Sequence, residues 1–122
     1  MASNDSLHQF GAYKKACVLF DLVVVDVTLL AANPVCSRLV SQQVASADSI
    51  ASNIEEGYGR GGRKDYAHFL IIARGSATET RGRYEQRLKH WLPANIVAAR
   101  VLPCEEIIAI LSTTIRRLRS DP

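Results

Sequence analysis

Gly57-Tyr58-Gly59-Arg60-Gly61-Gly62 satisfies G-x-G-x-x-G, the spacing that lets backbone amides approach a dinucleotide pyrophosphate. That chemistry needs a strand before the glycines, and the residues before Gly57 carry helical periodicity instead. The same stretch opens like a phosphate-binding P-loop, but Arg63-Lys64 stands where Lys-Ser/Thr is required, so the magnesium hydroxyl is missing. Asp65-Tyr66-Ala67-His68 imitates the carboxylate-x-x-His step of di-iron bundles, which takes two such steps and two further carboxylates. No second step exists, and His68 is expected on the surface. His8 and His90 lack partners at ligand spacing, and no cysteine pair offers zinc geometry. Ser49, Ser52 and Ser76 sit among small residues and none occupies a G-x-S-x-G elbow, so they are read as helix-packing residues. Cys17, Cys36 and Cys104 are odd in number and far apart, as expected of buried thiols in a reducing compartment. The expectation is no catalytic residue, no cofactor, no metal and no small-molecule substrate: not an enzyme. The competing enzyme reading needs a site between subunits around Glu56, Arg74 and Glu79.

Binding is the remaining class, and charge points to its sign. Residues 1–59 hold three basic and six acidic side chains, net −3; residues 60–119 hold twelve basic and five acidic, net +7. The whole chain carries +3, with a pI of about 8.9. Such asymmetry favours an anionic partner, RNA in particular. The candidate contacts are Arg60, Arg63, Lys64, Arg74, Arg81, Arg83, Arg87, Lys89, Arg116, Arg117 and Arg119. On a helical wheel Arg74, Arg81 and Lys89 line one edge of their helix, and Arg83 and Arg87 the other. Arg60-Gly61-Gly62-Arg63 resembles an RNA-binding step, yet its glycines are better explained as helix punctuation. Gly57 or Gly59 would supply a left-handed terminus and Gly62 an N-cap.

Four apolar-periodic segments must position these residues, over about 7–32, 34–57, 63–91 and 103–119. Asn33-Pro34 ends the first and caps the second, Gly57 ends the second, Pro93 blocks the third, and Pro103 opens the fourth. In the third, Tyr66, Leu70, Ala73, Ala77, Tyr84, Leu88 and Trp91 form the core seam. Four helices with short links predict an all-α, antiparallel four-helix bundle forming one domain over 1–122. Composition, 48% hydrophobic with only 7 Gly and 4 Pro, excludes disordered and collagen-like classes. The first segment is apolar nearly all round between Ala16 and Ala32, more than one bundle core can bury, which predicts self-association. Asp21 and Asp26 interrupt it, so no membrane span is expected, and the first residues lack a secretory pattern; a cytoplasmic location follows as the expectation.

Ser49-Ile50-Ala51-Ser52-Asn53-Ile54-Glu55-Glu56-Gly57-Tyr58-Gly59-Arg60, followed by Phe69-Leu70-Ile71-Ile72-Ala73-Arg74-Gly75-Ser76-Ala77-Thr78-Glu79, closely resembles the four-helix-bundle proteins encoded in intervening sequences of bacterial 23S rRNA genes. Their usual pattern is S-I-P-S-N-I-A-E-G-Y-G-R and then F-L-x-x-A-R-G-S-x-x-E. The resemblance implies a cytoplasmic, non-enzymatic bundle that assembles as a homopentamer. It also implies a tie to rRNA through gene location, with distant relatives among RNA- and reverse-transcriptase-binding accessory proteins of diversity-generating retroelements. This chain departs from the pattern at Val44-Ala45, where an Arg-Arg pair is frequent, and at Asp48, Ala51, Gly62 and Arg81. The motif polar residues Asn53, Glu56, Arg74, Ser76 and Glu79 are expected to form a hydrogen-bond network between the second and third helices. The functional expectation is an oligomeric binding or scaffolding protein with RNA (rRNA) as favoured ligand; the alternative is a protein-binding oligomeric adaptor with no nucleic-acid role.

Overall fold

The first apolar run folds as two pieces, because Phe10 takes an extended conformation (φ −67°, ψ 118°) and separates α1 (Asn4–Gln9) from α2 (Gly11–Leu30). The computed structural model describes residues 4–120, and no strand occurs among them. After α2, Asn33 caps a short 3₁₀ turn, Pro34–Cys36. Its side chain accepts from the Val35 amide at 3.0 Å, and Pro34 occupies the first turn, where a missing N–H costs nothing. α3 (Ser37–Arg60) runs three residues past Gly57. The left-handed residue that ends it is Gly61 (φ 83°), not Gly57 or Gly59 as the sequence suggested. Gly62 then takes the extended N-cap conformation of α4 (Arg63–Gln86).

Two further boundaries differ from the sequence reading. α4 stops at Gln86, and a 3₁₀ turn, Leu88–His90, carries the chain towards Pro93, so Trp91 lies outside the core and is exposed. The last helix, α5 (Ala94–Ser120), begins nine residues before Pro103 and runs through it. A proline ring removes its own N–H from a helix, but helical residues on both sides still bury Val97, Val101, Cys104 and Ile107 against the other helices. That packing outweighs the local penalty.

The four long helices pack in chain order: α2 against α3, α3 against α4, α4 against α5, and α5 back against α2. This is the four-helix bundle the periodicity predicted. Its core holds Leu19, Val23, Ile50, Ile54, Leu70, Tyr84, Ile107 and Leu111 fully buried, each aliphatic side chain stabilising the fold by roughly 1.5–3 kcal/mol. α2 carries a second seam on its other side. Val18, Leu22, Val25 and Leu29 recur at four- and three-residue steps, and Val18, Val25 and Leu29 are 59%, 55% and 71% exposed. Cys17 shares the exposed side of α2, whereas Cys36 and Cys104 are buried; the expectation of three buried thiols fails at Cys17.

Gly57 is buried at a close approach of α3 to α4. A Cβ there would lie 2.8 Å from Phe69 Cβ, 3.0 Å from the Tyr66 ring and 3.3 Å from the Tyr66 carbonyl oxygen. Around Gly75 of α4 nothing lies within 4 Å of such an atom. The two glycine-to-alanine changes should therefore have opposite signs. Gly57→Ala forces the helices apart and should destabilise by about 1–2 kcal/mol after its gain in helix propensity. Gly75→Ala should stabilise by about 0.5–1 kcal/mol. Thermal melts of both variants check this, and a stabilised Gly57→Ala would contradict the close approach.

Candidate functional site

Towards the chain-end side of α4, its contact with α3 is polar rather than apolar. Gln43 and Ser46 of α3 and Thr80 and Arg83 of α4 are all buried, Arg83 to 7% exposure. Arg83 Nη1 donates to Gln43 Oε1 at 2.7 Å and to Ser46 Oγ at 2.9 Å. Ser46 and Thr80 hydroxyls are 2.8 Å apart, and Thr80 Oγ1 donates to the Ser76 carbonyl at 2.8 Å. Since Thr80 spends its one proton on that carbonyl, Ser46 is the donor to Thr80, and the chain runs Arg83 to Ser46 to Thr80 to Ser76. Gln43 Nε2 closes the layer by donating to the Thr80 carbonyl at 3.0 Å. Burial, with Arg87 nearby, pulls the Arg83 guanidinium below its usual pKa.

The motif residues enter this layer only in part. Ser76 Oγ donates to Ser49 Oγ across the helices at 2.9 Å, and Asn53 Nδ2 donates to Ser49 on its own helix. Glu56 is exposed and pairs with Arg60 along α3 at 3.0 Å; Arg74 turns to Ser112 of α5 at 3.3 Å; Glu79 is exposed beside a cleft of about 320 Å³. The expected five-residue network therefore reduces to Asn53 and Ser76 joined through Ser49. The reason is geometric: the α3–α4 contact selects residues in phase with Gln43 and Thr80, while Glu56 pairs along its own helix and Glu79 stays at the exposed rim of the cleft between the two helices.

A second buried cluster was missed from sequence. Asp26, 2% exposed, accepts from Tyr84 Oη at 2.6 Å and from Arg100 Nε and Nη2 at 2.8 and 3.1 Å. Three helices meet in it. Burial and the Asp26 carboxylate raise the Tyr84 phenol, and the same carboxylate raises Arg100, so both keep their protons at any physiological pH. The available signal was an acid in phase with Leu19, Val23 and Leu30, because a carboxylate on a core seam requires a buried cation. At the other end of α2, Tyr13 donates to Glu55 at 2.7 Å, which holds the phenol protonated.

The basic residues do not form one patch. α4 and α5 run antiparallel, so the α4 start meets the α5 end. Arg63 Nη2 donates to the Arg117 carbonyl at 3.0 Å, and Arg74, Arg116 and Arg119 share one open pocket with Ser112 and Ser120. Lys64 is exposed nearby in sequence, and Arg60 lies 5.1 Å from the Phe69 ring centroid. Arg87 and Lys89 are exposed towards the opposite end, about 35 Å from Arg63 along the axis at 1.5 Å per residue. Arg81 pairs with Glu85 at 3.6 Å. Arg83 is only 7% exposed and its guanidinium is committed to the buried layer, a correction to its place among the RNA-binding candidates.

Among the described residues, no group of three or more His, Cys, Asp and Glu side chains is placed to hold a metal ion, and no helix is long and apolar enough to cross a membrane. Burial pushes the Cys104 thiol up to about 12, leaving it an unreactive packing group. No curated protein matches the chain. A family model described as 23S rRNA-intervening sequence protein matches residues 8–112, which span both motifs, the buried layer between α3 and α4, and the Asp26 cluster. With this much of its length matched and the four-helix architecture observed, the chain belongs to the 23S rRNA-intervening sequence protein family.

Proposed function

We propose that this protein is a non-enzymatic, homopentameric binding bundle of the cytoplasm whose partner is RNA. The observation that carries the RNA reading is a group of exposed cations within residues 60–119 that have no ion pair among the described residues: Lys64, Arg87, Lys89, Arg116, Arg117 and Arg119. Each adds to the net +7 of residues 60–119, and a cyclic assembly would repeat every one of them around its axis. Binding would go mainly through phosphate charge with little reading of bases, because few aromatic side chains are exposed beside these cations. Self-assembly is supported by the outer seam of α2 and by an apolar groove of about 650 Å³ between the end of α4 and the start of α5, lined by Leu92, Val97 and Val101 among others. A closed ring needs two different complementary faces on each subunit.

The test is a titration with a structured rRNA fragment at 50 and 200 mM salt. Affinity should fall at least about ten-fold over that range, and Lys64→Glu/Arg87→Glu/Lys89→Glu should weaken it further. If wild type shows no salt-sensitive binding, or the triple variant binds as well, the exposed seam of α2 makes a protein-binding oligomeric adaptor the better reading.

A further inference from the structure

The pocket between α4 and the end of α5 has a composition unlike the rest of the basic surface. Its volume is about 450 Å³, and it is lined by Arg74, Ser112, Ile115, Arg116, Arg119 and Ser120. Three guanidiniums and two hydroxyls converge there, and among the described residues no carboxylate lies within ion-pair distance of any of the three arginines. Arg74 is half-buried and is held by its bond to Ser112 Oγ at 3.3 Å, so one guanidinium is fixed in the wall before any ligand arrives. The end of a helix is the wrong end for an anion, carrying about half a negative charge. Here Arg63 covers one of those carbonyls, that of Arg117, and three full positive charges outweigh the remainder.

We propose that this pocket binds a doubly charged phosphate group, the terminal phosphomonoester of an RNA strand. This deepens the RNA reading above and rests on it for the source of the phosphate. Two features select a terminal group over the phosphodiester backbone. A monoester carries about −1.5 to −2 at neutral pH and three acceptor oxygens, which matches three guanidiniums better than the single charge of a diester. A strand end also enters a concavity, whereas a continuous backbone lies along a surface such as that of Arg87 and Lys89. The same pocket would accept a free organophosphate, and the experiment separates the two sources.

The experiment compares one single-stranded RNA oligonucleotide with a 5′-phosphate and with a 5′-hydroxyl, titrated into the intact protein, with ribose 5-phosphate and inorganic phosphate titrated separately. The phosphorylated strand should bind about ten-fold more tightly. Millimolar inorganic phosphate should erase that preference, and so should Arg116→Gln/Arg119→Gln, exposed positions whose loss leaves the melting temperature unchanged. Equal affinity for the two strands overturns the pocket while leaving RNA binding in place. Saturable ribose 5-phosphate binding lost in the double variant, without binding of either strand, keeps the pocket but removes RNA as its source. No binding of any of these probes overturns both.

Discussion

Asp26→Ala should lower the stability of the bundle by about 3–5 kcal/mol and its melting temperature by about 10–20 °C. The carboxylate is the shared acceptor of Tyr84 and Arg100, and the Arg100 side chain is only 12% exposed. Alanine would leave a guanidinium and a phenol facing an apolar cavity, and the uncompensated cation is the larger loss. At the lower end of the usual stability range of about 5–15 kcal/mol, that is enough to unfold a sizeable fraction of molecules at growth temperature. The loss belongs to the broken pair and not to the absence of charge as such. Removing all three polar groups together, as Asp26→Leu/Tyr84→Phe/Arg100→Met, should recover most of the stability. Calorimetric melts of both variants decide the matter; a single variant melting within 2 °C of wild type would mean that the cluster does not hold these helices together.

Val18→Asp/Val25→Asp should convert an oligomer into a folded monomer of 13.4 kDa with unchanged helix content. Both valines lie on the outer seam of α2, away from the core, so the aspartates meet water in the isolated subunit and an apolar partner only in the assembly. Val23→Asp is the contrasting change. Val23 is fully buried, and a charge there should unfold the chain whatever its oligomeric state. Light scattering and circular dichroism on the same samples separate the outcomes. A wild-type protein that scatters as a monomer at micromolar concentration would remove the assembly altogether.

The helical seams of residues 37–60 and 63–86 were legible because each has one apolar stripe and the two are parted by Gly61-Gly62, whereas the end of α4 carries no glycine or proline and the periodicity ran on to Trp91. The break at Phe10 was not, since a phenylalanine is no punctuation and only its backbone angles reveal the turn. Pro103 misled in the other direction: proline marks helix starts by propensity, while packing on both sides carried α5 through it. Among the candidate site residues, the wheel placed Arg83 on one of two edges flanking the core seam, among the RNA contacts. A wheel drawn about one helix does not know that α3 covers that edge with Gln43 and Ser46. The two-sided character of α2 was plain from composition, but which valines face out required the structure: Val23 inward, Val24 and Val25 outward.

The proline inside α5 has a consequence for how the molecule breathes. With no N–H at residue 103, the Ala99 carbonyl lacks its helical donor, and the stretch 94–102 is joined to the rest of α5 by one bond fewer. Local opening starts where backbone bonds are sparse and side chains exposed, and Ala98, Ala99 and Leu102 fit that description. Arg100 lies inside this stretch, and its grip on Asp26 is what latches it to α2. The buried ion pair then sets how often the first two turns of α5 peel away, a fluctuation visible as faster amide exchange over 94–102 than over 104–118.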